Sequence, residues 1–221
     1  MHPNPDTEAA EQMTTGIAAT QRRVAEARTH GPLVWQRTGT VGTELVLRDG
    51  VAPGVVTGSI VVGGRQPYTS RWHADLDGNW RVRALTVTTE GSGWRRNLAL
   101  SRTADGAWTC GVEESGTVDA PRAGIDDPSR LDRGAVLLLT DSPIFQTWAL
   151  RALRLSPGEA AATTPAIRVR MPWLTVVAGE SAFHRVSDNK LRVSGDGPAV
   201  SYDLDAEGIV TYQPGRLRIA H

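Results

Sequence analysis

Two histidines of this chain fall within extended segments, His73 and His184. His73 precedes Asp75 by two residues. On a strand, that spacing puts an imidazole and a carboxylate on one face. Such a pair can supply two metal ligands. A metal would need a third ligand, and His184 is the obvious donor. The plainer reading is a His–Asp pair on a solvated face. Glu113-Glu114 and Asp126-Asp127 lie in polar contexts. Without an apolar setting to raise one pKa, they read as solvated charge rather than an acid/base pair. Cys110 is the single cysteine, so no intramolecular bridge can form, and its flanks mark no nucleophile. G-x-S-x-G, H-E-x-x-H, the P-loop and a post-strand G-x-G-x-x-G are all absent. The expectation is a protein with no catalytic residues, no resident metal and no cofactor.

The elements that would position these side chains follow from composition and spacing. The 221 residues carry 24 Lys+Arg and 24 Asp+Glu, a net charge of zero. Phosphate binding needs clustered cations, and here Arg alternates with Asp and Glu, so nucleic acid is not the expected partner. Lys190 is the one lysine, a bias that fits a GC-rich coding genome. No run of about 18 apolar residues could span a bilayer. The N-terminus, M-H-P-N-P-D-T-E-A-A-E-Q, has neither the basic region nor the apolar core of a secretory signal. Together with one cysteine, this predicts a cytoplasmic protein.

Residues 7–29 are rich in Ala, Glu, Gln and Arg and predict a helix, capped by Asp6 or Thr7 and ended by His30-Gly31-Pro32. Its apolar positions, Met13, Ile17 and Val24, are too sparse for a strong amphipathic face. Residues 1–32 are therefore read as a helical extension, able to act as a lid or to cover a sheet edge. Residues 33–221 are read as a single β-domain.

From Leu33 onward, turn signals such as Asp49-Gly50, Gly63-Gly64, Asp77-Gly78-Asn79 and Asp105-Gly106 recur every eight to twelve residues. Strands are predicted at 34–38, 43–48, 55–63, 66–75, 80–90, 94–101, 107–112, 134–139, 145–155, 166–177, 182–187, 190–194, 199–205, 208–212 and 215–220. Tight turns between successive strands make them antiparallel. The fold class is all-β and mainly antiparallel: a meander forming an open or partly closed barrel or curved sheets, with an N-terminal helix. Residues 115–133 form the one long connection and divide the sheet into two halves.

On the strand 66–75, Tyr68, Ser70, Trp72 and Ala74 share one face. The next strand is read with Trp80, Val82, Ala84 and Thr86 together, and the one after with Trp94, Arg96, Leu98 and Leu100. Large Trp beside small Ala and Ser suits either a groove or an interdigitated core. Seven Trp is many for this length, and Trp joins a broad apolar face to one donor.

Several segments resemble the bacterial putative glycolipid-binding protein family, a β-rich domain related in shape to periplasmic lipoprotein carriers. They are W-Q-R at Trp35, T-G-S-I-V-V at Thr57, Y-T-S-R-W-H-A-D-L-D-G-N-W at Tyr68, V-R-M-P-W-L-T-V at Val169 and D-L-D-A-E-G-I-V-T-Y-Q-P-G-R-L at Asp203. S-P-I-F-Q-T-W-A-L-R-A-L at Ser142 sits where the family pattern reads approximately S-P-x-T-N-T-L-P-I-R-R-L. Phe145 and Gln146 replace Thr-Asn, Trp148 and Ala149 replace Leu-Pro, Arg151 keeps the first Arg, and Ala152 replaces the second. The resemblance spans about Val34 to Ile219.

It implies non-enzymatic binding of a lipid or glycolipid on an apolar concave face. Arg151, Gln146 and His73 are candidate head-group anchors; Phe145, Trp148 and Trp72 are candidate walls. Two other readings stand beside it. One is a barrel enzyme or haem- or metal-binding protein using His73 or His184. The other is a structural or interaction module whose sheet edge or N-terminal helix docks a partner.

Overall fold

The computed structural model describes residues 31–48 and 53–220. The N-terminal helix expected at residues 7–29 lies outside the described residues. Fourteen strands form one sheet: β1 (Leu33–Arg37), β2 (Gly42–Arg48), β3 (Val55–Val62), β4 (Tyr68–Leu76), β5 (Val82–Gly91), β6 (Trp94–Arg102), β7 (Trp108–Gly116), β8 (Val136–Leu139), β9 (Ala162–Arg170), β10 (Thr175–Ser187), β11 (Lys190–Ser194), β12 (Val200–Leu204), β13 (Val210–Gln213) and β14 (Leu217–Ile219). Among the described residues one α-helix, α1 (Ile144–Leu153), joins β8 to β9.

The strand order is β7-β6-β5-β4-β3-β2-β1-β14-β13-β12-β11-β10-β9-β8. Two meanders thus meet in the middle, where β1 pairs antiparallel with β14 through Trp35↔Ile219 and Arg37↔Leu217. The sheet is not closed, since β7 and β8 form its two edges. The long connection runs between those edges. At Gly124 it forms a parallel bridge to Thr175, with Val176 N–H donating to the Gly124 carbonyl at 2.8 Å. Gly124 has a φ of +78° and lies against Cys110 and Val112 of β7, where a Cβ would overlap Val112.

The expected strand at 145–155 is instead α1. Val136–Leu139 is buried on both faces and pairs parallel with β9. A parallel pair needs a crossover, and α1 supplies it. Pro143, with φ −69°, presets the entry, and apolar residues then recur at helical spacing: Ile144 with Trp148, and Phe145 with Ala149. Six of its ten residues are buried, as befits a helix that enters the core rather than lying on it. It ends at Arg154 in a left-handed conformation (φ 51°).

Two further expectations are corrected. Residues 166–177 are not one strand: β9 turns back through Met171–Leu174 into β10, and Leu174 takes a φ of +57°. On β5, the inward residues are Val82, Leu85 and Val87 rather than Val82, Ala84 and Thr86. A register shift opposite Asp75/Leu76 flips the alternation, and Trp80 falls in the preceding turn. The inward faces of β4 and β6 are as expected.

The core lies between the inner sheet face and α1. Trp72, Phe145 and Trp148 form an edge-to-face triad with centroids 5.3, 6.0 and 4.7 Å apart. Such pairs add about 0.5–1.5 kcal/mol each beyond area burial. The helix is pinned at Thr147, whose fully buried hydroxyl accepts from Val210 N–H at 3.1 Å, while Trp35 Nε1 donates to the Val210 carbonyl at 2.8 Å.

Candidate functional site

Burial of an acid marks the first polar centre. Along β2, Glu44 and Val46 face inward while Leu45 and Leu47 face out. Glu44 is 2 % exposed. Its Oε1 accepts from Trp72 Nε1 at 3.0 Å and from Ser142 Oγ at 2.6 Å; its Oε2 is buried with no partner. Burial pushes this carboxyl up to about 8, against smaller lowering effects from Ser142, Trp72 and Arg37. Asp141, held at φ +72°, accepts from Tyr68 Oη at 3.0 Å and pairs with Arg37 at 3.4 Å and Arg216 at 3.5 Å. Burial, with the charge of Asp141 adding to it, raises the Tyr68 phenol above its ordinary range. The Thr140–Pro143 corner is thus fixed from β1, β2, β4 and the β13–β14 turn. Its centre is sealed from ligands by its own packing.

Directly beyond that corner lies a groove of about 290 Å³. Its walls come from the end of β8, the first turn of α1, β9, β10 and the β11–β12 turn. Arg168 sets its polar side. The guanidinium donates to Asp196 Oδ2 at 2.7 Å, Ser181 Oγ at 2.8 Å and the Glu180 carbonyl. Gly195 makes room for it, because a Cβ there would overlap the Arg168 Nη2. Arg170 also lines the groove and has no ion-pair partner among the described residues. Gln146 enters from α1, and its Oε1 is buried without a partner. Tyr202 closes the far side, its phenol pushed up to about 12 by burial. Leu138, Val193 and Val200 supply apolar wall. Wider depressions of about 430 and 480 Å³ lie over the outer face of β3–β7, among Thr, Arg and Glu side chains. Their charged side chains, Arg71, Glu90, Arg95 and Glu113, are all exposed, whereas Arg168 is half-buried.

The structure separates the residues singled out from the sequence. Gln146 alone lines the groove. Trp72, Phe145 and Trp148 are buried in the core triad. His73 is exposed on the outer face of β4, opposite Thr57 and Thr86. His184 lies opposite Arg192, on a strand eight places from β4 in the sheet order. Arg151 stacks over Trp80 at 4.3 Å and donates to the Glu207 carbonyl at 3.2 Å. Among the described residues, no three His, Cys, Asp or Glu side chains come together as a metal site. No helix among them is long and apolar enough to cross a membrane. Arg168, Arg170, Asp196 and Glu44 were missed. The available signal was weak: the glycines at 179 and 195 that flank the guanidinium, and a Glu between Thr and Leu in a strand.

Fold and site together define an open, mainly antiparallel β-domain wrapped around a helix, with a groove of mixed polar and apolar lining at its surface. The chain belongs to the family described as putative glycolipid-binding, whose model matches residues 32–218. It is similar in fold to a crystal structure of a DUF1089 family protein from Pseudomonas aeruginosa, with a TM-score of 0.62 and 18% identity over 79% of this chain and 89% of that one. No curated protein matches the chain.

Proposed function

We propose that this domain binds a glycolipid without transforming it, seating the polar head group in the groove beside α1. The observation that carries this reading is the pairing of a fixed donor with a waiting acceptor. Arg168 is held in place by Asp196 and Ser181, while Gln146 Oε1 is buried and unpaired. Sugar hydroxyls both donate and accept, so they match such a mixed lining. A volume of about 290 Å³ is at the low end for ligand pockets and suits a head group rather than a whole lipid. The inner sheet face, expected to hold acyl chains, is filled by Phe145 and Trp148. Acyl carbon would lie instead along Leu138, Val193 and Val200. The core triad backs the groove by holding α1, and through it Gln146, in place.

Native mass spectrometry of freshly purified protein and calorimetric titration with alkyl glycosides test this. A retained glycolipid mass, or saturable heat with the glycosides, is the expected result. The absence of both a bound mass and heat would sink the reading.

A further inference from the structure

We propose that the outer face of β2 and β3 is a docking surface for an anionic lipid bilayer. Eight large hydrophobic side chains are exposed among the described residues, and five of them cluster here: Val41 (79%), Leu45, Leu47 (51%), Val55 and Val61 (51%). Strand alternation puts Leu45, Leu47, Val55 and Val61 on one side, and Val41 lies in the turn just before β2. Along β2, Leu45 and Leu47 face out while Glu44 and Val46 face in, and along β3, Val55 and Val61 face out while Val56 and Ile60 face in. The register lays Leu45 against Ser59, Leu47 against Thr57 and Thr43 against Val61. Among the described residues the surface between β2 and β3 is therefore hydroxyl or aliphatic, and Val55 lies at its margin opposite Asp75. A patch of this kind marks an interaction site rather than scattered exposure.

The rim identifies the partner. Arg71 on β4 and Arg65 in the β3–β4 turn are exposed, with no ion-pair partner among the described residues. Arg218 on β14 meets Gln36 at 3.3 Å and, among the described residues, no carboxylate. The single carboxylate at an outward position of β1–β4, Asp75, is neutralised by Arg83 at 2.7 Å. Aliphatic centre and cationic rim match the two layers of an anionic bilayer, acyl boundary and head groups. A second copy laid face to face would bring two cationic rims together, which Coulomb repulsion opposes. This surface shares no residue with the groove, so either assignment can stand without the other.

Vesicle flotation with the full chain tests it, using phosphatidylcholine alone and phosphatidylcholine mixed with phosphatidylglycerol. The protein should float with the mixed vesicles and far less with the neutral ones. Leu47→Glu combined with Val61→Glu should abolish flotation. Arg71→Gln should weaken it about fivefold, the share of one surface cation. All three positions are outside the core, so circular dichroism melts should match the parent. No flotation with either vesicle, or equal flotation of parent and variants, overturns the proposal. A concentration-dependent dimer in light scattering that Leu47→Glu dissolves overturns it in favour of self-association. Heat with soluble alkyl glycosides should persist in the Leu47→Glu/Val61→Glu variant, which separates this result from the groove's.

Discussion

The indole of Trp72 reaches across one intervening strand to donate to the buried carboxyl of Glu44, at 3.0 Å. The strand between them is β3, and the residue beneath the ring is Gly58, the register partner of Trp72. A Cβ on Gly58 would overlap the indole. Gly58→Ala should therefore shift Trp72, break its bond to Glu44 and cost roughly 1–3 kcal/mol as overpacking. Denaturant unfolding measures this. Gly111→Ala is the control, since its Cβ meets Ala99 only at 3.9 Å.

Glu44 links stability to pH. Its carboxyl titrates near 8 when folded, against 4.5 for the ordinary group. Between those values the folded state binds the extra proton, so this group's contribution to stability falls as pH rises from about 4.5 to 8 and levels off above. The slope is at most about 1.4 kcal/mol per pH unit. Glu44→Gln should flatten that window and be more stable than the parent at pH 8. Thermal melts across the range report it; an unchanged slope would contradict the assignment.

Thr147→Val keeps shape and removes the acceptor for Val210 N–H. A buried amide left unpaired costs about 1–3 kcal/mol. The loss should appear in chemical unfolding, with faster exchange of the Val210 amide.

Gly195→Ala acts on the groove alone. The added methyl displaces Arg168 from Ser181 and Asp196. Glycoside affinity should fall at least tenfold, while the melting temperature moves little because Gly195 lies in an exposed turn. Equal affinity in the variant would place the head group elsewhere.

Much of the sheet was legible because Gly, Asn and Asp punctuate it so regularly. The strands of both meanders and the inner faces of β4 and β6 follow from turn spacing and alternation. The helix was not legible: Ile144, Phe145, Thr147 and Trp148 favour strands locally, and only the demand for a crossover between parallel strands makes them helical. Pro172 marked the β9–β10 turn, but the valines on both sides of it read as one continuous strand. The groove was opaque for a different reason. Arg168, Ser181 and Asp196 come from three separate segments, and no local pattern announces their meeting. β2 misleads in a more pointed way, since it turns leucines outward and a glutamate inward.

The pairing of β1 with β14 bears on the order in which this chain can be assembled. The middle of the sheet joins its earliest strand to its last, through Trp35↔Ile219. A nascent chain can zip each meander locally, but both halves keep a bare edge until residues 217–219 emerge. Contacts of such long sequence separation are slow to form. Until then, the exposed edges of β1 and β13 invite pairing with other chains.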